Sequence, residues 1–145
     1  MRVEVLKIVR DALVEVEVRP SIRRPEDIAE FARRFIGAAD REHFLVLCLN
    51  ARHMLASVHT VSIGTLNASM VHPREVFKVA LLANSAAVAL VHNHPSGDPQ
   101  PSDDDLEITR RLREAGKLLG VEVLDHVIVT DNSFVSMKQS GILSF

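Results

Sequence analysis

The chain has a single cysteine, Cys48, among 145 residues. One thiol excludes an intrachain disulfide and any zinc cage built from several cysteines. Cys48 stands in the apolar run Phe-Leu-Val-Leu-Cys-Leu, and burial among apolar side chains raises the pKa of a thiol. We therefore expect an inert, buried cysteine rather than a nucleophile.

The sequence also has no long apolar run, and we expect no signal peptide. No apolar run approaches the roughly 20 residues of a membrane-spanning helix. The first residues, Met-Arg-Val-Glu, lead into charged and alternating sequence rather than into the apolar stretch of a signal peptide. These absences predict a soluble, cytoplasmic protein that has no membrane as a partner.

Tryptophan, tyrosine and a basic excess are absent as well. Six phenylalanines are the only aromatic residues, and 17 Lys and Arg stand against 19 Asp and Glu, for a net charge of −2. Nucleic-acid-binding domains usually show a basic excess and aromatic rings that stack on bases. A local basic region within residues 19–34 is interpreted as a solvated surface. The composition therefore argues against a nucleic acid as the partner.

The 145 residues suffice for one domain with a hydrophobic core. Residues 2–19 alternate between apolar and polar side chains, which is typical of a half-buried β-hairpin. With the polar connector at residues 20–24, they form an expected N-terminal arm, residues 1–24, before a domain at residues 25–145. An exposed strand in this arm could pair with a second copy and form a homodimer.

Apolar spacing predicts three helices and five strands after the arm. The helices are expected at residues 25–36, 72–82 and 102–119, and the strands at residues 44–49, 55–63, 86–91, 121–130 and 134–137. Helices that alternate with apolar strands in this way indicate an α/β or α+β fold with a central sheet.

The stretch with the clearest chemistry is Val91–Asp105. Its first residues place His92 and His94 at the end of a predicted strand, where residues two apart point to the same side. The loop that follows contains three prolines and Gly97, which limit its freedom and permit a sharp turn. Two histidines and a carboxylate are the ligands of a catalytic zinc site that keeps one position open. The stretch therefore predicts a metal site.

Helical spacing alone does not decide which carboxylate belongs to this site. Ser102 is the expected N-cap of a helix, and a Ser102–Asp105 capping pair would by itself explain the acidic first turn. At about 100° per residue, the apolar face of that helix carries Asp104 and Asp105 near its edges and excludes Asp103. A carboxylate turned toward the core needs a partner, and both Asp104 and Asp105 qualify.

The string His-Asn-His-Pro-Ser-Gly-Asp-Pro-Gln-Pro-Ser resembles the JAMM (MPN-plus, JAB domain) metalloprotease motif, and within that family the RadC-like branch. In the motif ten residues separate the second histidine from the aspartate, as residues 95–104 do here. Segments at residues 41–44, 72–76 and 124–129 are also similar to RadC proteins. The resemblance covers residues 20–145 and implies a single MPN/JAB-like domain, with a mixed sheet between helices as in cytidine deaminases.

The resemblance also implies roles for individual residues. His92, His94 and Asp105 match the ligands of one Zn²⁺ ion, which selects Asp105 over Asp104. Ser102 matches the serine that helps to stabilise the oxyanion, and Glu42 matches the catalytic glutamate that precedes an early buried strand. The implied activity is a zinc metallopeptidase: Glu42 takes a proton from a zinc-activated water, and an amide or isopeptide bond of a peptide or protein substrate is hydrolysed.

Two other readings of the chain are a DNA-repair-associated protein, which only the RadC name suggests, and a non-catalytic MPN interaction module. Retention of the residues that match the zinc ligands argues against the second. Asp125 and His126 lie in the run Leu-Asp-His-Val-Ile-Val. We interpret His126 as a structural residue or a support for a ligand, and Asp125 as a candidate hydrogen-bond partner of a ligand histidine.

Overall fold

The computed structural model of the chain describes residues 20–64, 67 and 70–145. The helices and strands follow in the order α1 (Pro25–Ile36), β1 (His43–Leu49), β2 (Leu55–Ile63), α2 (Pro73–Leu82), β3 (Ala87–Asn93), α3 (Asp103–Leu119), β4 (Glu122–Val129), β5 (Phe134–Ser136) and α4 (Met137–Ser140). The hairpin predicted at residues 2–19, with the edge it would offer to a second copy, lies outside the described residues.

The five strands form one mixed sheet in the order β2–β1–β3–β4–β5. β1 pairs antiparallel with both β2 and β3, β3 runs parallel to β4, and β5 returns antiparallel along β4. A parallel pair needs a long crossover, and α3 provides it between β3 and β4. This arrangement confirms the predicted α/β fold with a central mixed sheet flanked by helices.

Helices cover both faces of the sheet, so β1 and β3 are buried almost throughout, as their uninterrupted apolar sequences predict. Side chains alternate along a strand. Leu45 and Leu47 of β1 therefore pack in the core under α1, whereas Phe44 and Val46 pack in the core under α2 and α3. The site described below lies at the α3 side of the sheet, where β3 ends.

Two local predictions are wrong. The connector at residues 20–24 is not merely polar, because Ile22 is only 2% exposed and its N–H donates to the carbonyl oxygen of His53 at 2.8 Å. The last strand ends one residue early: Ser136 Oγ accepts from the N–H of Gln139, so the chain turns into α4 at the buried Met137. The division into an arm at residues 1–24 and a domain at residues 25–145 stays a prediction.

Cys48 is fully buried in β1, and burial raises the pKa of its thiol, as expected for an inert cysteine. Within the described part of the chain, none of the helices is long and apolar enough to cross a membrane.

Candidate metal centre

The end of β3 brings two histidines against the first turn of α3. His92 lies within the strand and is fully buried, while the side chain of His94, just beyond the strand, is 13% exposed. The chain then turns at Gly97, whose φ of +89° is one that L side chains rarely adopt. The turn returns the chain to Ser102, the N-cap of α3.

Ser102 and Asp105 cap the helix reciprocally. Ser102 Oγ accepts from the N–H of Asp105 at 3.1 Å, and Asp105 Oδ2 accepts from the N–H of Ser102 at 2.8 Å. This is the predicted capping box. The same geometry buries Asp105, which is 2% exposed, whereas Asp104 is only half-buried. Helical spacing did not distinguish these two acids as the third member of the site. The structure places Asp105 beside the histidines.

Three side chains converge in what we call the metal cluster: His92, His94 and Asp105. The Nε2 atoms of the two histidines are 2.9 Å apart. Asp105 Oδ1 lies 3.2 Å from His92 Nε2, and Asp105 Oδ2 lies 3.3 Å from His94 Nε2. Each residue offers one ligand atom, and these atoms lie within 4.8 Å of one another, so the cluster could hold a metal ion.

The ring proton of His94 is placed by its second nitrogen. His94 Nδ1 lies 2.8 Å from the carbonyl oxygen of Asp98. A carbonyl oxygen only accepts hydrogen bonds, so Nδ1 carries the proton. In the neutral ring, Nε2 then has a free lone pair that points at His92 and Asp105.

The ring proton of His92 is placed by a longer chain of contacts. The hydroxyl of Thr109 donates to the carbonyl oxygen of Asp105 at 2.7 Å and lies 2.5 Å from His126 Nδ1. Since a hydroxyl has one proton, Thr109 accepts from His126 Nδ1. A neutral His126 then accepts at Nε2 from His92 Nδ1, 2.7 Å away. His92 therefore also directs an unprotonated Nε2 into the cluster.

This arrangement fits a bound cation. Two nitrogen lone pairs and a buried carboxylate face one another, and an uncompensated set of this kind is costly in a protein interior. Three atoms bound at about 2.0–2.1 Å to one tetrahedral zinc lie roughly 3.3 Å apart. In the metal cluster the two Nε2 atoms are 2.9 Å apart, and they lie 3.2 and 3.3 Å from the two different oxygens of Asp105, which is close to that spacing.

Electrostatic interactions bias the titration of the cluster before any metal binds. Burial opposes the charged form of Asp105, but His92 and His94, which donate to it from Nε2 when their rings are protonated, outweigh burial and hold the carboxyl pKa far below 3.8. Burial likewise opposes a charged His94. The Asp105 carboxylate and the Asp98 carbonyl oxygen overcome that effect and raise the His94 pKa above 6.5. A positive charge is thus favoured at this point.

A second group of polar side chains, the supporting network, lies behind the metal cluster and consists of Thr109, Asp125, His126 and Ser136. All four are buried. Complete burial lowers the pKa of His126 well below 6.5, and the nearby His92 adds to the shift, so the ring is neutral. Phe44 packs edge-on against His126 with ring centroids 5.4 Å apart.

Asp125 supports the fold rather than a ligand. Its carboxylate accepts from the hydroxyl of Ser136 and from the N–H groups of His126 and Lys138. The expectation that Asp125 bonds a ligand histidine is therefore wrong for the described contacts. The interpretation of His126 as a support for a ligand agrees with its contact to His92.

Glu42 lies at the open side of the metal cluster. It directly precedes β1, its side chain is 28% exposed, and its Oε1 is 4.0 Å from His94 Nε2. Residues that are fifty positions apart in sequence are brought together because β1 and β3 pair, with Phe44 opposite His92. The structure thus gathers the five residues that were predicted as metal ligands or catalytic groups at one end of the sheet.

Two contributors to the site were not singled out in the sequence. Thr109 follows Asp105 by four residues on α3, and helical periodicity places such residues on one face, so a signal was available. The carbonyl oxygen of Asp98 gave none, because any residue in that loop position carries the same backbone group.

Comparison with known proteins finds one family profile and several relatives that match most of the chain. The family profile described as a RadC-like JAB domain matches residues 22–142. A UPF0758 protein of Desulforamulus reducens is 50% identical over 134 residues, which cover 92% of this chain and 59% of the relative. A UPF0758 protein of Shouchella clausii is 51% identical over 127 residues, which cover 88% of this chain and 55% of the relative.

A third relative, a UPF0758 protein of Bacillus cereus, is 48% identical over 128 residues, or 88% of this chain and 57% of the relative. The chain therefore spans little more than half the length of the curated relatives that it matches. None of the three names states an activity, a substrate or a metal.

Proposed function

The chain belongs to the RadC-like JAB domain family, and from this premise we propose that it is a zinc-dependent metallopeptidase that hydrolyses amide or isopeptide bonds. The observation that carries the proposal is the metal cluster, in which two imidazole nitrogens and one buried carboxylate converge beside a second, partly exposed carboxylate. Three protein ligands with an open fourth position are typical of catalytic rather than structural zinc sites.

In this proposal His92, His94 and Asp105 hold the metal through His92 Nε2, His94 Nε2 and the Asp105 carboxylate. Nitrogen and oxygen ligands without sulfur suit zinc in a hydrolytic site. When bound, zinc would lower the pKa of a coordinated water toward neutrality and polarise a substrate carbonyl. The remaining chemistry belongs to side chains of the protein.

Glu42 is the proposed general base and acid. Its carboxylate lies on the exposed side of the cluster, with Oε1 4.0 Å from His94 Nε2, and a water molecule at the open metal position would lie within its reach. That water attacks the carbonyl carbon of the substrate and gives one proton to Glu42. The carbon–nitrogen bond then breaks as Glu42 passes the proton to the leaving nitrogen, so the products are an amine and a carboxylic acid that then ionises.

Ser102 is the proposed donor to the carbonyl oxygen in the transition state. Its Oγ uses a lone pair to accept from the N–H of Asp105, which leaves the hydroxyl proton available to donate. Helix capping and oxyanion stabilisation therefore use different parts of one hydroxyl group. A positioned donor of this kind contributes about 10²- to 10³-fold to the rate of acyl transfer.

The test is hydrolysis of a library of peptides and isopeptide-linked peptides by the zinc-loaded chain. Glu42→Gln should keep its zinc but lose about 10²- to 10⁴-fold in kcat, the usual contribution of a general base. Asp40→Asn, which changes an exposed acid in the same loop, is the matched control and should retain activity.

Two results would count against the proposal in different ways. Glu42→Gln that hydrolyses peptides at the wild-type rate removes Glu42 from the mechanism while leaving a metallopeptidase. A wild-type protein that binds zinc and cleaves no member of the library contradicts the peptidase assignment itself.

A further inference from the structure

Asn93, the residue between the two histidines, makes contacts that the metal cluster does not explain. It ends β3 and is 9% exposed. Because side chains alternate along a strand, His92 points toward α3 while Asn93 points to the opposite face, beside the cleft that α1 lines. Asn93 therefore cannot join His92 and His94 as a third ligand from this strand.

Both polar atoms of the Asn93 side chain bond to backbone groups on either side of Glu42. Asn93 Oδ1 accepts from the N–H of His43 at 2.6 Å. Asn93 Nδ2 donates to the carbonyl oxygen of Arg41 at 2.9 Å. One planar amide thus holds the peptide group before Glu42 and the peptide group after it.

These two bonds stand where the strand pairing stops. The ladder between β1 and β3 ends with Phe44 opposite His92. At the next position the side chain of Asn93 bonds to β1 in place of a backbone pair. On the other side, the carbonyl oxygen of Glu42 accepts from the N–H of Gly64 at 2.8 Å. The backbone of Glu42 is therefore fixed from β3 and from the end of β2.

We propose that Asn93 is a positioning residue that fixes the Glu42 carboxylate against the metal cluster. Glu42 lies outside the regular part of β1, and its Oε1 is 4.0 Å from His94 Nε2. The amide couples its backbone to the same strand that presents His92 and His94. Since a misplacement of about 1 Å can cost about 10²-fold in rate, this coupling matters for proton transfer. The catalytic meaning of the clamp rests on the proposed peptidase function.

The alternative is a purely structural role, in which Asn93 only satisfies two backbone groups and keeps the end of β3 in place. The two roles differ in what they change. Loss of a strand end between two ligand histidines would weaken metal binding, whereas loss of a clamp on Glu42 would slow catalysis and leave the metal in place.

The experiment compares the zinc-loaded wild type with Asn93→Leu, which is similar in size and forms neither bond, and with Asn93→Asp, which keeps the acceptor for His43. Three measurements are made on each: zinc affinity by competition with a chelator, hydrogen exchange of the His43 amide by NMR, and steady-state peptide hydrolysis. In Asn93→Leu we expect zinc affinity within about threefold of wild type and His43 exchange faster by at least about tenfold.

In the same variant kcat should fall by about 10- to 100-fold, with a smaller change in KM. Asn93→Asp should restore the slow exchange of the His43 amide. A fall in activity that only follows a loss of zinc would establish the structural role and overturn the proposal. Unchanged kcat in Asn93→Leu would overturn it as well.

Failure of the proposed function is distinguishable from failure of the clamp. If the wild type binds zinc but cleaves nothing, the peptidase assignment fails, and the exchange of His43 still decides whether Asn93 holds the Glu42 segment. Wild-type exchange of His43 in Asn93→Leu would contradict the clamp whatever the activity.

Discussion

The metal cluster and the supporting network meet where His92 contacts His126, and both consist largely of buried polar groups. They differ in whether each hydrogen-bonding group finds a complementary partner within the protein. In the supporting network every donor meets an acceptor: Asp125 accepts three hydrogen bonds, and Thr109 connects His126 to the backbone of α3. In the metal cluster two lone pairs and a carboxylate face one another at 2.9–3.3 Å.

This difference distinguishes buried polar groups that stabilise the fold from buried polar groups that could bind a ligand. A network that is complete within the protein stabilises the fold and needs no ligand. A cluster that lacks a positive charge at its centre is stabilised by a cation or by a proton. On this comparison we expect substitutions in the metal cluster to change metal binding. Substitutions in the supporting network should change stability, except at His126 and Thr109, which also orient the ring of His92.

The largest effect is expected from removing the carboxylate of the metal cluster. Asp105→Ala and Asp105→Asn should each weaken zinc binding more than the 10- to 100-fold typical of groups behind the ligands. Asp105→Asn keeps a capping acceptor for Ser102, so it separates the loss of charge from a loss of folding. The measurement is a zinc titration against a competing chelator.

Asp104→Ala is the matched control in that titration, since Asp104 lies in the same helical turn but outside the cluster. Its zinc affinity should remain within about threefold of wild type. An Asp104 variant that loses zinc while the Asp105 variants retain it would show that the wrong acid has been assigned.

The second effect concerns stability alone. Asp125→Ala leaves the hydroxyl of Ser136 and two N–H groups without their acceptor. Buried orphan donors cost about 1–3 kcal/mol each, and partial relaxation should leave a net loss of about 2–4 kcal/mol in the free energy of unfolding. Urea unfolding of the metal-free protein measures it. Zinc affinity of the folded variant should be unchanged, and a large loss of affinity would erase the distinction between the two clusters.

The third effect lies at the contact between the two clusters. His126→Ala removes the acceptor for His92 Nδ1 and should weaken zinc binding about 10- to 100-fold. Thr109→Val, which removes only the hydroxyl behind His126, should produce a smaller loss. A zinc affinity that neither substitution alters would mean that the ring orientation of His92 does not depend on His126.

The smallest effect is a dependence of stability on pH in the metal-free protein. His94 has a pKa raised above 6.5, so its stabilising contribution is complete below 6.5 and is lost as pH rises through the raised pKa. His126 has a pKa lowered well below 6.5, so its contribution is present above 6.5 and is lost as pH falls. Together these two groups favour greatest stability near pH 6.5.

Unfolding free energies measured from pH 5 to 8 test these signs. His94→Gln should remove the decline above pH 6.5, and His126→Gln should remove the decline below it. Saturating zinc should reverse the trend above pH 6.5, because metal binding requires unprotonated ligands and strengthens as pH rises. A metal-free His94→Gln protein with the same alkaline slope as wild type would contradict the assigned shift.

Much of the fold follows from local sequence. Pro25, Gly37 and Gly120 mark helix ends that the structure confirms, and the unbroken apolar runs of β1 and β3 predict strands covered on both faces. The end of β5 was harder to predict. Met137 continues an apolar strand pattern, but the side chain of Ser136 caps a short helix there, and a hydroxyl competes with strand pairing only in its tertiary context.

The metal cluster could be read from the sequence because its three residues lie within one strand, one loop and one helical turn. Helical phase alone did not show which of Asp104 and Asp105 joins the histidines, since both lie near the edge of the buried face. Glu42, His126 and Asn93 depend on strand pairing between distant segments: the pairing of β3 with β1 places Glu42 and Asn93, and its pairing with β4 places His126. Local pattern carries no information about such contacts.

The central claim is that His92, His94 and Asp105 hold one metal ion, and anomalous scattering at the zinc edge tests it most directly. A crystal of the zinc-loaded protein should show one strong peak within about 2.0–2.2 Å of His92 Nε2, His94 Nε2 and an Asp105 oxygen. The Nδ1 atoms should still bond to His126 and to the Asp98 carbonyl oxygen. Absence of a peak at the cluster, or a metal bound through either Nδ1 atom, would contradict this claim.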